Sequence, residues 1–337
     1  MTNSSEIGIE DRLDQTIPSP EHASASPAER AEALDADRTG GRTEPVGPAS
    51  NGRTPNGRGP AGSNMTDSGM IPAVGRRKMI CLDVDGTLVD HDGHMHPEVR
   101  SAARAVAEAG HHVLIATGRS LGATLPIIQA IGLQEGFSVC CNGGVTLRLT
   151  QQLEDGYEVI ERKTFDPRPA LQALRHRLPN AKYAIEDDQG NFLSTERFQD
   201  ASFGVVAEGV TFEEMMEATA VRLVVFSTDS SAEEFGEAVE AIGLQGVTYS
   251  VGWTAWLDIA AAGVTKASGL EVIRDRLGVH IDDTVAVGDG RNDIEMLAWA
   301  GRGVAMGQAP PEVKKVADEV TGHVDEHGAA TVLRSLV

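Results

Sequence analysis

The sequence predicts an α/β protein: a parallel sheet with helices on both faces, preceded by a disordered leader. Three observations carry this. From Lys78 onward, short apolar runs alternate with amphipathic helical patterns, the signature of strands joined by covering helices. Polar residues gather where the apolar runs end, and in such sheets ligands bind at the carboxyl ends of the strands. The first 76 residues have no apolar periodicity, and GRTEPVGPASNGRTPNGRGPAGSN is dense in Gly, Pro, Ser, Asn and Arg. A segment of this kind cannot bury enough surface to offset its conformational entropy. Met65, Met70 and Met79 leave open a natural start further in.

The elements follow in order. KMICLDVD reads as a strand, and PEVRSAARAVAEAG as an amphipathic helix that Gly110 ends. HHVLIATGR is the next strand, LGATLPIIQAIG the next helix and FSVCCNGG the third strand. In the long middle section LQALRHRLP and SAEEFGEAVEAIG read as helices, and KYAIED, VRLVVFST and TAWLDIA as strands. KASGLEVIRDRLG (helix), DTVAVGDG (strand) and NDIEMLAWAG (helix) complete the main unit. The expected organisation is a leader over 1–76, a core in two parts, 77–159 and 263–337, and an inserted module over 160–262.

Composition sets the bounds. A chain of 337 residues, 41% hydrophobic, allows one or two domains beyond the leader. Its apolar runs are too short and interrupted to span a bilayer. No charged-then-apolar segment opens the chain as a signal peptide would. Cys81, Cys140 and Cys141 make no zinc or disulfide spacing and suit a reducing compartment, so a cytoplasmic protein is expected. The net charge of -21 argues against nucleic acid and anionic membranes as partners.

The strand ends carry the chemistry. The first closes on Asp83-Val84-Asp85, the second on Thr117-Gly118-Arg119, the third on Asn142-Gly143-Gly144. The late strand closes on Gly288-Asp289-Gly290-Arg291-Asn292-Asp293, and Lys266 lies just before the helix leading back to it. Four carboxylates, a hydroxyl and an ammonium can thus meet on one rim. An oxygen-rich site of this sort suits Mg²⁺, a hard cation held by a few carboxylates, waters and a substrate phosphate. Each signal has a plainer reading alone: a turn or cap for Asp83 and Asp85, a helix cap for Thr117, an exposed charge for Lys266, and dipole compensation for Asp289 and Asp293.

The ordered set D-x-D-G-T, T-G-R, Lys and G-D-x-x-N-D resembles the haloacid dehalogenase-like superfamily, and the long insert resembles its Cof-type branch. The likeness runs from about Lys78 to the C-terminus, including VAMGQAPPEVKKVADEVTGHVDEHGAATVL. It implies a Rossmann-like core with an inserted C2-type α/β cap, and a Mg²⁺-dependent phosphatase of a small phosphorylated metabolite. Asp83 would be the nucleophile, forming an aspartyl phosphate, and Asp85 the acid and base. Thr117 would bond a phosphoryl oxygen, and Lys266 would pair with phosphate and nucleophile. Gly118, Arg119, Asn142 and Asn292 would bind phosphate or substrate. Asp83, Asp85, Asp289 and Asp293, with the Val84 carbonyl, would hold the metal. A phosphotransferase or phosphomutase, or a silent binding module, are the alternatives. Gly290-Arg291 departs from the family's usual pair of small residues, and Arg291 can reach a phosphate, an acidic cap residue or solvent.

Other features point less clearly. His91, Asp92, His94 and His96 form a tempting zinc cluster, but fall where the family has a flap turn. Cysteine-phosphatase chemistry needs Cys-x₅-Arg, and the residues six after Cys140 and Cys141 are Thr146 and Leu147. GDGRND lacks the third Gly of a dinucleotide fingerprint. Trp253 and Trp256 line a pocket or pack a core.

Overall fold

The computed structural model describes residues 76–195, 207–227, 229–252 and 255–337. The leader expected over 1–76 lies outside these apart from Arg76, as does Trp253. The first strands are β1 (Met79–Leu82), β2 (His112–Ala116), β3 (Gly136–Cys140), β4 (Val145–Leu149) and β5 (Tyr157–Arg162). A second set follows: β6 (Lys182–Asp187), β7 (Phe192–Ser194), β8 (Glu208–Gly209), β9 (Ala220–Phe226), β10 (Val247–Val251) and β11 (Trp256–Ala261). The chain closes with β12 (Thr284–Gly288), β13 (Arg302–Ala305) and β14 (Glu319–Val320).

The larger sheet runs β14-β13-β12-β1-β2-β3-β4-β5. β1 lies between β12 and β2, parallel to both, with Leu82 opposite Val287 and Ile115. Its four residues are all buried, which is why MICL reads as an unbroken apolar run rather than an alternating one. Ile80, Leu82, Val285 and Val287 pack against helices 97–108 and 328–334. Met79, Cys81, Leu114 and Ala286 pack against helices 266–277 and 294–299 on the other face. Strand order reverses at β1, so the crevice at its carboxyl end is where such a sheet binds ligand.

The sheet is not wholly parallel, as the alternation had implied. β3 pairs antiparallel with β4, and β4 with β5. Antiparallel neighbours need only a tight turn, whereas parallel ones need a crossover. Asn142-Gly143-Gly144 supplies that turn after β3. β5 continues to Arg162, so a module boundary at residue 160 falls inside it.

The smaller sheet runs β10-β11-β9-β6-β7-β8. Along β9 the side chains alternate. Leu223 and Val225 join Tyr183, Ile185, Leu257 and Ile259 in a core that helices 168–177 and 232–242 cover with Leu171, Leu174, Phe235 and Val239. Helix 232–242 is fixed at both ends, by a capping box between Ser231 and Glu234 and by left-handed Gly243. No described helix is long and apolar enough to cross a membrane.

Candidate active site

The ends of β1 and β12 bring Asp83, Asp289 and Asp293 together, with carboxylate oxygens within 4.8 Å of one another. All three are buried, Asp293 completely. Lys266, the first residue of helix 266–277, donates to Asp83 Oδ1 at 2.6 Å and to Asp293 Oδ1 at 2.7 Å. It is the only cation bonded to the cluster among the described residues, so negative charge remains in excess. Burial, then the Asp293 charge, pushes the Asp83 carboxyl well above the usual range against the pull of Lys266. Burial, then Asp293, pushes Asp289 up to about 7. Burial disfavours the Lys266 ammonium, but Asp293 and Asp83 outweigh it and hold the lysine protonated. The donor set is therefore all oxygen, buried and over-charged, and it fits a divalent cation.

The expected residues reach this site in different ways. Asp85 does not join the cluster. Gly86 turns the chain at φ 77, and the Asp85 carboxylate, 61% exposed, is gripped by Arg119 through Nε at 2.9 Å and Nη2 at 2.6 Å. A side chain at Gly86 would displace Asp289, since a Cβ there would stand 2.1 Å from Asp289 Oδ2. Asp293 spends its oxygens locally: Oδ1 on Lys266, and Oδ2 on the amides of Asp289 and Gly290 at 3.0 and 2.9 Å. The Val84 carbonyl accepts the amides of Thr87, Leu88 and Val89. Those bonds shape the turn after β1 and draw the carbonyl away from the metal role expected of it.

Thr117 is fully buried behind the cleft, where its Oγ1 accepts the Arg119 amide at 3.1 Å. Asn142 holds a left-handed conformation and accepts from Asn292 Nδ2 at 2.9 Å, joining two strand ends. Gly118, Arg119, Asp83, Asp85, Asp289 and Asn292 line one cleft of about 220 Å³. Arg291 also borders it, with its Nε bonded to Glu312 at 2.9 Å.

The histidines of HDGHMH do not converge. His94 lies beside Asp90, while His96 caps helix 97–108, stacks on His327 at 3.5 Å and stands near Glu98. All three cysteines are buried without a disulfide. Burial raises the Cys140 thiol to about 12 and Cys141 far above its usual value, so neither is a ready nucleophile.

Sequence reasoning missed Gln308, in the turn after β13. Its Nε2 donates to the Gly86 carbonyl and to Asp289 Oδ2 at 3.2 Å, and its Oε1 accepts the Val324 amide at 3.0 Å. The available signal was position alone, a polar residue just past the carboxyl end of a parallel strand. Also missed were Arg222, Ser250 and Asp258 of the smaller sheet, which line the cleft with Trp256.

The sequence pattern of the haloacid dehalogenase-like hydrolases matches residues 80–333. Pyridoxal phosphate phosphatase YbhA of Escherichia coli (strain K12) is 30% identical over 265 residues, covering 73% of this chain and 93% of its own length. A phosphoglycolate phosphatase of Methanopyrus kandleri is 28% identical over 263 residues, covering 77% of this chain and 97% of its own. The solved structure of the subclass IIB sugar phosphatase BT4131 superposes with a TM-score of 0.65 at 27% identity, covering 77% of this chain and all of that one.

Proposed function

Because the chain belongs to the haloacid dehalogenase-like hydrolases, we propose that this phosphatase depends on Mg²⁺ and passes the phosphoryl group of a small metabolite through Asp83. The observation that carries the reading is the trio of buried carboxylates at the ends of β1 and β12 sharing one lysine. Asp83 and Asp289 would hold the cation, with Asp293 fixing Lys266 and the 289–290 backbone around them. When bound, Mg²⁺ offsets carboxylate and phosphate charge, so that one anion can approach another.

The chain supplies the rest. Lys266 orients Asp83 for attack on phosphorus and, together with the charge of a bound cation, opposes the burial that raises its carboxyl. Asp85, released by Arg119, protonates the leaving alkoxide and later takes a proton from the attacking water. Arg119 is then available to the phosphoryl oxygens, for which its planar fork is suited. Thr117, Gly118, Asn142 and Asn292 shape the phosphoryl pocket. The smaller sheet acts as a cap that excludes water. Relatives named for pyridoxal phosphate, phosphoglycolate and sugar phosphates mark the range of small substrates, and three buried cysteines suit a cytoplasmic location.

The test is phosphate release together with trapping of the phosphoenzyme. Asp83→Asn should lower turnover by about 10⁴-fold or more and form no adduct. Asp85→Asn should accumulate an acid-stable, hydroxylamine-labile adduct from p-nitrophenyl phosphate, whose anion leaves unprotonated, and none from an alkyl phosphate. An adduct on the Asp83→Asn protein, or wild-type turnover of both esters by Asp85→Asn, would refute the assignment.

A further inference from the structure

The cap sheet is two-sided in an unusual way. Helices cover one face, and the other borders the cleft through Arg222, Ser250, Trp256 and Asp258. Register puts these four together: Ser250 lies directly opposite Asp258 across β10 and β11, and Asp258 lies opposite Val224, two residues from Arg222 on β9. Arg222, 3% exposed, donates from Nε to Asp258 Oδ1 at 2.6 Å. Trp256 Nε1 donates to Asp258 Oδ2 at 3.1 Å. Both carboxylate oxygens are thereby oriented, and the group still reaches the cleft.

Ala184, Val224 and Phe226 on this face are apolar, and buried Glu186 stands opposite Arg222. Burying an ion pair among them costs more desolvation than an apolar pair of similar size, so stability alone does not account for Arg222 and Asp258. Charge narrows what they recognise. Among the described residues, the cations at the site are matched by carboxylate: Lys266 by Asp83 and Asp293, Arg119 by Asp85, Arg291 by Glu312, and Arg222 by Asp258. Glu186, opposite Arg222 on β6, is engaged with Arg162 and Cys141. The cap therefore offers oriented acceptors rather than surplus positive charge.

We infer that Asp258, oriented by Arg222 and Trp256 and flanked by Ser250, receives the hydroxyl groups of the leaving alcohol. The enzyme thereby selects phosphomonoesters of uncharged, hydroxyl-bearing alcohols over those carrying a second anionic group. This rests on the phosphatase reading of the same site.

The test compares kcat/KM for glycerol 3-phosphate, phosphoglycolate and p-nitrophenyl phosphate in the Mg²⁺-loaded full chain. Wild type should favour glycerol 3-phosphate over phosphoglycolate by about tenfold or more. Asp258→Asn turns one of the two acceptor oxygens into an N–H donor, which cannot accept from Arg222 or Trp256, and leaves the Arg222 charge unbalanced. The ratio of the two substrates should fall by about ten- to a hundredfold, more than any loss on p-nitrophenyl phosphate. An equal loss on all three esters would overturn the assignment, as would a wild type that prefers phosphoglycolate. Should Asp258→Asn lose its cooperative melt, Trp256→Phe removes the orienting N–H while keeping an aromatic ring; a fall in the same ratio supports the inference and an unchanged ratio overturns it. Failure of wild type on every ester, p-nitrophenyl phosphate included, would instead overturn the phosphatase reading, and this inference with it.

Discussion

Gln308 ties three parts of the site together: the turn after Asp85, the Asp289 carboxylate and the loop at Val324. Side chains that orient a ligand group typically change metal affinity by about 10- to 100-fold when removed. Gln308→Ala should therefore raise the Mg²⁺ concentration for half-maximal activity by about tenfold and leave kcat at saturating Mg²⁺ nearly unchanged. A Mg²⁺ titration decides, and a lowered kcat with an unchanged requirement would contradict it. Asp289 gives a pH test. Its folded pKa is raised to about 7, against about 4 in an unfolded chain. The folded state thus keeps a proton that the unfolded chain has released, and the stability from that proton is full below pH about 4 and gone above pH about 7. A bound divalent cation removes the need for it. The rise in melting temperature on adding Mg²⁺ to chelator-treated protein should be larger at pH 7.5 than at pH 5, and Asp289→Asn should flatten the difference.

Between β3 and β4 the chain makes a turn in which Cys141, Asn142 and Gly143 all have positive φ. Holding non-glycine residues there costs on the order of 1–3 kcal/mol each, and the turn puts Asn142 against Asn292. A Cβ on Gly143 would meet the Thr265 carbonyl at 2.2 Å, at the N-cap of the helix that begins with Lys266. Gly143→Ala should destabilise by about 2 kcal/mol or more and lower kcat by displacing Lys266. Denaturant melts with parallel kinetics test this, and wild-type values for both would exclude the coupling. The same scale explains what the sequence made legible. β1, β2 and β12 were readable because strands buried on both faces are unbroken apolar runs, and their polar ends named Asp83, Thr117 and Asp289. β4 and β5 were not, because an antiparallel edge hairpin alternates polar and apolar residues as many surface segments do. Arg222 and Asp258 were hidden for another reason: each is a lone charge within an otherwise apolar strand, AVRLVVF and WLDIAA, and one charge in such a run does not say what its face borders. The local partners of Asp85 and of the Val84 carbonyl depend on backbone directions that spacing does not encode.

At the scale of the whole molecule, 77% of the chain aligns with relatives that are themselves covered nearly end to end, and the family pattern begins only at residue 80. A chain starting at Arg76 should therefore keep the full-length melting temperature and kcat/KM within about twofold. Loss of its cooperative transition would show that residues 1–75 belong to the folded unit. The sheet order carries a consequence for biosynthesis. β1 is made early, yet the strand that flanks it at Thr284–Gly288 follows some two hundred residues later. At roughly 5–20 residues per second, a ribosome needs tens of seconds to close that gap. During this interval the nascent chain displays one unpaired edge of a wholly apolar strand, a template for aggregation. Pairings so distant in sequence also slow folding. A polypeptide stopped at residue 262 should consequently sediment with insoluble material or with chaperones, while the completed chain stays in the supernatant.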